Sequence, residues 1–240
     1  GARDTWRDQS KVPLINGAID AIMAYKLLQS HPRSNGKFGI TGHSRGGNNS
    51  LYVADVKFTS LFLEGTRGFD AILPEAAECK LAGFFDKPEL TSNSKLLYVH
   101  GAADDYTLPN HCEDYVKKIK SEPGQIEIDL KKGWYHGFHF DQKPKKYKAM
   151  TVHNCPAFFV DNDGFVVGNE WPDMVLTKHK LFPSMDAFYE AAQVEPKKLW
   201  KKTFKILKKE KCLKRGVTVG GDHMDEYMPQ FINFFKENLM

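Results

Sequence analysis

Ser44 lies in the segment Gly42-His43-Ser44-Arg45-Gly46, flanked two residues away on each side by glycine. A lone serine hydroxyl is a poor nucleophile. It needs a neutral imidazole to take its proton, and the imidazole needs an acid to hold its tautomer. A GxSxG segment serves this chemistry when it forms a tight strand-to-helix corner, where glycines let backbones approach closely and the hydroxyl projects at the sheet's carboxyl edge. The flanking residues supply both arms: Lys37-Phe38-Gly39-Ile40-Thr41 reads as a short strand, and the stretch after Ser44 to about Ala54 as a helix. At such a corner the Arg45 amide is the expected oxyanion donor, helped by the positive end of the helix.

With the serine at a corner of this kind, the acid and then the histidine are expected on loops after later strands. Asp104 fits the acid, four residues beyond the strand Leu96-Leu97-Tyr98-Val99-His100; its neighbour Asp105 reads as facing solvent. His136 fits the base, in Gly133-Trp134-Tyr135-His136-Gly137-Phe138, just past a strand ending near Leu130. The sequence has nine histidines, and His139 and His223 also follow the acid, so both are rivals for the base. Glu75, just after an apolar run from Phe69 to Leu73, is the rival acid. Trp134, Tyr135 and Phe138, together with His43 and Glu75, are the candidate pocket residues.

The elements that must position these groups follow from periodicity. Apolar residues from Pro13 to Leu28 recur at helical spacing, as do those of Asn110 to Ile119 and of the closing segment Asp225 to Leu239. Phe69–Leu73, Lys95–His100 and Ile126–Leu130 read as buried strands. Strands alternating with helices imply an α/β fold, a mostly parallel sheet with helices on both faces, in a single domain over residues 1–240. Residues 141–215 break the rhythm and read as an insertion or cap. It would hold a hairpin, Ala157–Val160 against Phe165–Val167 across Asp161-Asn162-Asp163-Gly164, and then a lysine-rich helix.

Gly-His-Ser-Arg-Gly-Gly, the stretch His-Gly-Ala-Ala-Asp-Asp-Tyr-Thr-Leu-Pro with Cys112 shortly after, and Tyr-His-Gly-Phe resemble the dienelactone hydrolase family of the α/β-hydrolase superfamily, over roughly Val12 to Phe140 and the final helix. The resemblance implies an α/β-hydrolase fold and a triad on Ser44, Asp104 and His136. Founding members of that family use cysteine as nucleophile, so the likeness is to its serine-bearing branch and does not carry the dienelactone substrate with it. Such hydrolases also have several strands before the nucleophile strand, one of whose loops gives the second oxyanion amide; here one helix precedes Lys37. The missing half is expected upstream, in a longer chain of which this is the C-terminal part.

Composition excludes more than it assigns. A hydrophobic fraction of 41% with 27% charged residues suits a globular chain, and no apolar run approaches the roughly 20 residues of a membrane-crossing helix. The four cysteines have no CxxC pair, which argues against zinc; buried thiols are expected, with one disulfide as the alternative. Between Lys197 and Arg215 there are ten basic residues and one acid, read as a solvated face; no nucleic-acid signature accompanies them. The Asp161–Gly164 turn lacks the later ligands of a calcium loop. Neither a metal nor a nucleotide cofactor is implied: water and substrate suffice. Gly1 replaces the usual methionine and residues 1–10 have no apolar core of a leader, which leaves the compartment open. The expected function is a serine hydrolase cleaving a small-molecule ester or lactone. The alternatives are a peptidase of the same fold and a non-catalytic binding protein on a hydrolase scaffold.

Overall fold

Two strands buried on both faces set the centre of the molecule. The computed structural model describes residues 12–240, so the opening stretch 1–10 considered above lies outside the described residues. Strands β1 (Gly39–His43), β2 (Ala71–Glu75), β3 (Lys95–Gly101) and β4 (Ile126–Lys131) pair in that order, all parallel. Parallel strands need crossovers long enough for a helix. Helix α1 (Asn16–Gln29) precedes β1; α2 (Arg45–Ala54) and the single turn α3 (Val56–Thr59) lie between β1 and β2, α4 (Pro109–Lys118) lies between β3 and β4, and residues 76–94 cross from β2 to β3 without a helix.

The alternation of side chains along β2 and β3 splits the core in two. Ile72, Leu96 and Tyr98 join Ala18, Ile22 and Tyr25 of α1, Leu51 and Tyr52 of α2, and Cys112, Tyr115 and Val116 of α4 on one face. Leu73, Leu97 and Val99 join Trp134, Phe138 and the aromatic stripe Tyr227, Phe231, Phe234 and Phe235 of the closing helix on the other. Fully burying such a side chain contributes roughly 1.5–3 kcal/mol, so both helical layers are anchored by these two strands.

The strand expected over Phe69–Leu73 lies two residues later, at Ala71–Glu75, and takes in Pro74. Proline has no N–H to give, which normally argues against a central strand. The cost appears in the pairing: the ladder from β2 to β1 is continuous, whereas the ladder to β3 steps from Ile72 to Glu75.

Between β4 and the closing helix the chain builds a second unit. Strands β5 (Lys145–Thr151) and β6 (Lys214–Val219) pair antiparallel, Lys145 opposite Val219 and Thr151 opposite Lys214. They enclose a wide helical turn over Asp173–Lys178, α5 (Met185–Val194) and α6 (Pro196–Lys209), after which α7 (Met224–Leu239) returns to the sheet. Trp171, Met174, Val175, Phe188, Ile206 and Leu207 form a core of their own. Neither β5 nor β6 was anticipated, because their solvent-facing lysines masked the strand pattern, and the unit runs on to Val219, past the expected end at 215.

The expected hairpin forms as a short one, an antiparallel bridge of Val160 with Val166 flanked by Asp161 N–H to Phe165 O and Val167 N–H to Phe159 O. Its first arm also pairs with the loop at Phe84–Asp86, through Val160 N–H to Phe84 O and Asp86 N–H to Val160 O. The acidic turn is held by Asp161 Oδ1, which accepts from the amides of Asp163 and Phe165. The expectation of free thiols is corrected: Cys79 is bonded to Cys112 and Cys155 to Cys212. The lysines of α6 are exposed, as a solvated face requires. Among the described residues no helix is long and apolar enough to cross a membrane.

Candidate active site

The turn from β1 into α2 holds Ser44 at φ 57° and ψ −114°, a region L-residues avoid, at a cost of about 1–3 kcal/mol. Ser44 N–H donates to Glu75 O at 2.8 Å, fastening the corner to the end of β2. A side chain on Gly42 would collide with the backbone of Gly46, and one on Gly47 with the Glu75 carbonyl. Gly46, the second glycine of the motif, has open space around it among the described residues. The glycines that the close approaches require are thus Gly42 and, in place of Gly46, Gly47, one residue beyond the motif. Arg45 begins α2, so its amide has no partner within the helix; its guanidinium donates to the carbonyls of Val12 and Pro13, both at 2.7 Å.

Asp104 sits on the loop after β3, positioned by an approach so close that a side chain on Gly101 would strike the Trp134 carbonyl. That carbonyl accepts from Ala103 N–H at 3.0 Å, joining the acid loop to the segment bearing His136. Asp104 Oδ1 accepts from the amides of Tyr106 and Thr107 at 2.7 and 2.9 Å. Its Oδ2 accepts from His136 Nδ1 at 2.8 Å, His100 Nε2 at 3.0 Å and Thr107 Oγ1 at 2.9 Å. Burial alone would raise this carboxyl, but the hydrogen bonds and charges of His100 and His136 outweigh it and hold Asp104 well below the usual carboxylate range.

With Nδ1–H given to Asp104, the other nitrogen of His136 carries its lone pair. His136 and Ser44 line one cleft of about 730 Å³, together with His43, Arg45, Tyr106, Phe140, Tyr147 and residues of β5. A serine hydroxyl, a neutral imidazole and a buried acid behind it are the parts that proton abstraction from the serine needs.

The other expected site residues fall elsewhere. Trp134 and Phe138 do not line the cleft; they belong to the core under α7, where Trp134 stacks on His223 at 4.6 Å between centroids. Tyr135 is half-buried and also absent from the cleft wall. His223 is thereby tied to Trp134, and His139 faces Glu75 at 3.4 Å, so neither meets Asp104. Glu75 is directed away from His136: its Oε1 accepts from Tyr227 at 2.6 Å and from Thr41 Oγ1 at 3.1 Å. Asp105 does not face free solvent, because it accepts from Thr218 N–H at 2.6 Å and Thr218 Oγ1 at 3.0 Å on β6.

His100, Thr107 and Phe140 were not singled out from the sequence. His100 was counted only as a strand end. The one available signal was that Tyr98 and His100, two apart, share a face of β3, where a polar pair must find partners.

A parallel sheet sandwiched by helices, with a serine at a strained strand-to-helix corner and the histidine and acid on loops after later strands, is the α/β-hydrolase fold. Solved structures similar to this chain include an esterase from the Planctomycetes species Thermogutta terrifontis, at 16% identity over 55% of this chain and 59% of that one, TM-score 0.42. Others are an α/β serine hydrolase without lid from Xanthomonas campestris, at 16% over 50% and 47%, TM-score 0.36, and an α/β hydrolase from a Medee basin deep-sea metagenome library, at 20% over 50% of each, TM-score 0.39. The chain spans about half the length of such structures. No family model and no curated protein matches the sequence.

Proposed function

We propose that this chain carries the nucleophile, base and acid of a serine hydrolase acting on an ester or lactone, in keeping with its resemblance to the serine-bearing branch of the dienelactone hydrolase family. Ser44 attacks the carbonyl, His136 accepts the serine proton and passes it to the leaving alkoxide, and water then cleaves the acyl-enzyme with His136 again as base. Asp104 keeps the His136 proton on Nδ1 and supports the imidazolium while it exists. The Arg45 amide is one donor to the oxyanion.

The observation that carries this reading is the buried, hydrogen-bonded Asp104–His136 pair, whose histidine lines the same cleft as a serine in a strained conformation. Phe140, Tyr106 and Tyr147, in place of Trp134 and Phe138, supply the apolar wall for the acyl or alcohol group. The unit over residues 141–219 is a cap, since Tyr147, Lys148, Ala149 and Val219 close one side of the cleft.

Labelling with a fluorophosphonate probe tests the proposal. The wild type is expected to label at Ser44 and to hydrolyse short acyl esters, and Ser44→Ala to lose both, by about 10⁴-fold or more. Labelling that survives Ser44→Ala, or none in the wild type, removes the hydrolase reading.

A further inference from the structure

Beside the cleft, a second group of polar side chains is packed where no hydrogen bond explains it. His43 at the end of β1, Glu75 at the end of β2 and His139 on the loop after β4 converge beneath the turn that carries Ser44. Glu75 Oε2 lies 3.7 Å from His43 Nδ1 and 3.4 Å from His139 Nδ1. Both separations exceed an ordinary N–H···O bond. Accordingly both ring nitrogens of His43, Oε2 of Glu75 and Nδ1 of His139 are buried without a hydrogen-bond partner among the described residues. Buried polar atoms left this way are costly and call for an explanation.

We infer that His43, Glu75 and His139 form a binding site for a divalent transition-metal ion, zinc being the first choice. Donors about 2.0–2.2 Å from a common tetrahedral centre stand roughly 3.3–3.6 Å apart; the 3.4 Å separation of His139 from Oε2 falls in that range and the 3.7 Å separation of His43 lies just beyond it. One donor atom from each of the three residues lies within 4.8 Å of the others. Two imidazoles and one carboxylate suit zinc and its neighbours and not calcium or magnesium, which take sets of oxygen ligands.

The environment is arranged for ligation in a further respect. Tyr227 and Thr41 both donate to Oε1 of Glu75, fixing the carboxylate so that Oε2 is left for the ion. Ligating carboxylates are held by outer hydrogen bonds of this kind. Thr41, His43, Glu75, His139 and Tyr227 line a small cavity of about 250 Å³ that adjoins the main cleft at His43. An ion there would clamp β1, β2 and the loop after β4 together under the corner that strains Ser44. Three protein ligands leave a fourth position open. The sequence gives no sign of it, since the ligands come from three separate segments and show no local spacing motif.

The test is equilibrium dialysis of the full chain against zinc chloride, with metal counted by mass spectrometry, alongside thermal melting. The wild type is expected to bind one equivalent with micromolar affinity or better and to melt higher with zinc than with a chelator. His139→Ala and Glu75→Gln should each weaken binding at least 100-fold and abolish the shift. Tyr227→Phe, which leaves the ligands in place but frees Oε1, should weaken it about 10-fold. His31→Ala, an exposed histidine far from the cluster, controls for adventitious binding and should match the wild type. Circular dichroism identifies any variant that fails to fold, and the remaining ones then decide. Less than one equivalent in the wild type, or an affinity unchanged in folded His139→Ala and Glu75→Gln, overturns the site.

Discussion

Two buried carboxylates end adjacent strands of this sheet, each flanked by a pair of histidines, and they are treated in opposite ways. Asp104, after β3, meets His100 and His136 at 3.0 and 2.8 Å and takes two amides besides. Glu75, ending β2, faces His43 and His139 at 3.7 and 3.4 Å and leaves one oxygen unpartnered among the described residues. The same residue types at nearly the same depth thus give a carboxylate hydrogen-bonded within the protein and a cluster whose donor atoms lie within 4.8 Å of one another without hydrogen bonds among the described residues.

The electrostatics follow the geometry. Both carboxyls are held below the ordinary range against the pull of burial, Asp104 by its hydrogen bonds to His100 and His136, Glu75 by Tyr227 and the imidazoles beside it. Burial in turn pushes the His43 ring down to about 4, despite Glu75, so at neutral pH it is an uncharged donor of lone pairs. Hydrogen-bond distance, more than residue type or burial, separates the proposed proton-transfer site from the proposed coordination site.

The sharpest way to break this comparison is to neutralise each carboxyl in turn. Asp104→Asn leaves the shape but offers His136 an amide in place of an acceptor, and turnover of a short ester is expected to fall about 10⁴-fold with zinc binding retained. Glu75→Gln should reverse the pattern, with zinc binding lost and a much smaller fall in turnover. If Glu75→Gln proves the more damaging to turnover, Glu75 is the working acid and the assignment of the two sites is inverted.

A smaller effect comes from the covalent link between the two regions. Cys79–Cys112 ties the segment just after Glu75 to the helix that follows the Asp104 loop, closing 33 residues of chain. Replacing both cysteines with serine should lower unfolding free energy by about 3–4 kcal/mol in the chain-entropy estimate, read from urea midpoints. A midpoint that does not move would mean that the two loops are held without it.

The smallest effect is the acid dependence of stability. Asp104 has a folded-state pKa depressed below its unfolded value of about 3.9. Its stabilisation is therefore fully present above that unfolded value and is lost as pH falls through the folded one. Between pH 5 and pH 2 the urea midpoint of the wild type should fall more steeply than that of Asp104→Asn. Parallel curves would show that the carboxylate is not held as its hydrogen bonds imply.

Much of this was open to sequence reasoning, and the exceptions have physical causes. The corner at Ser44 and the loops of Asp104 and His136 were legible because strand, turn and helix follow one another locally, and because a sheet of parallel strands brings successive loop ends together. Trp134 and Phe138 misled, since an aromatic beside a functional histidine looks the same in sequence whether it faces a cleft or fills the core. β5 and β6 were hidden because their lysine-rich starts are exposed without a two-residue alternation of burial. His100 and Thr107 were missed although Asp104, which both meet, lies four and three residues away, because a histidine or threonine near an acid looks the same in sequence whether the pair is buried or exposed.

The bond from Asp105 to Thr218 has a further implication for selectivity. Asp105 adjoins Asp104, and Thr218 adjoins Val219 in the cleft wall. A substrate too broad for the cleft would push that wall outward and, through this bond, drag the neighbouring acid off its alignment with His136. Fit and reactivity would then be read by one linkage, so that an ill-fitting ester is penalised in the rate of its chemistry as well as in its binding.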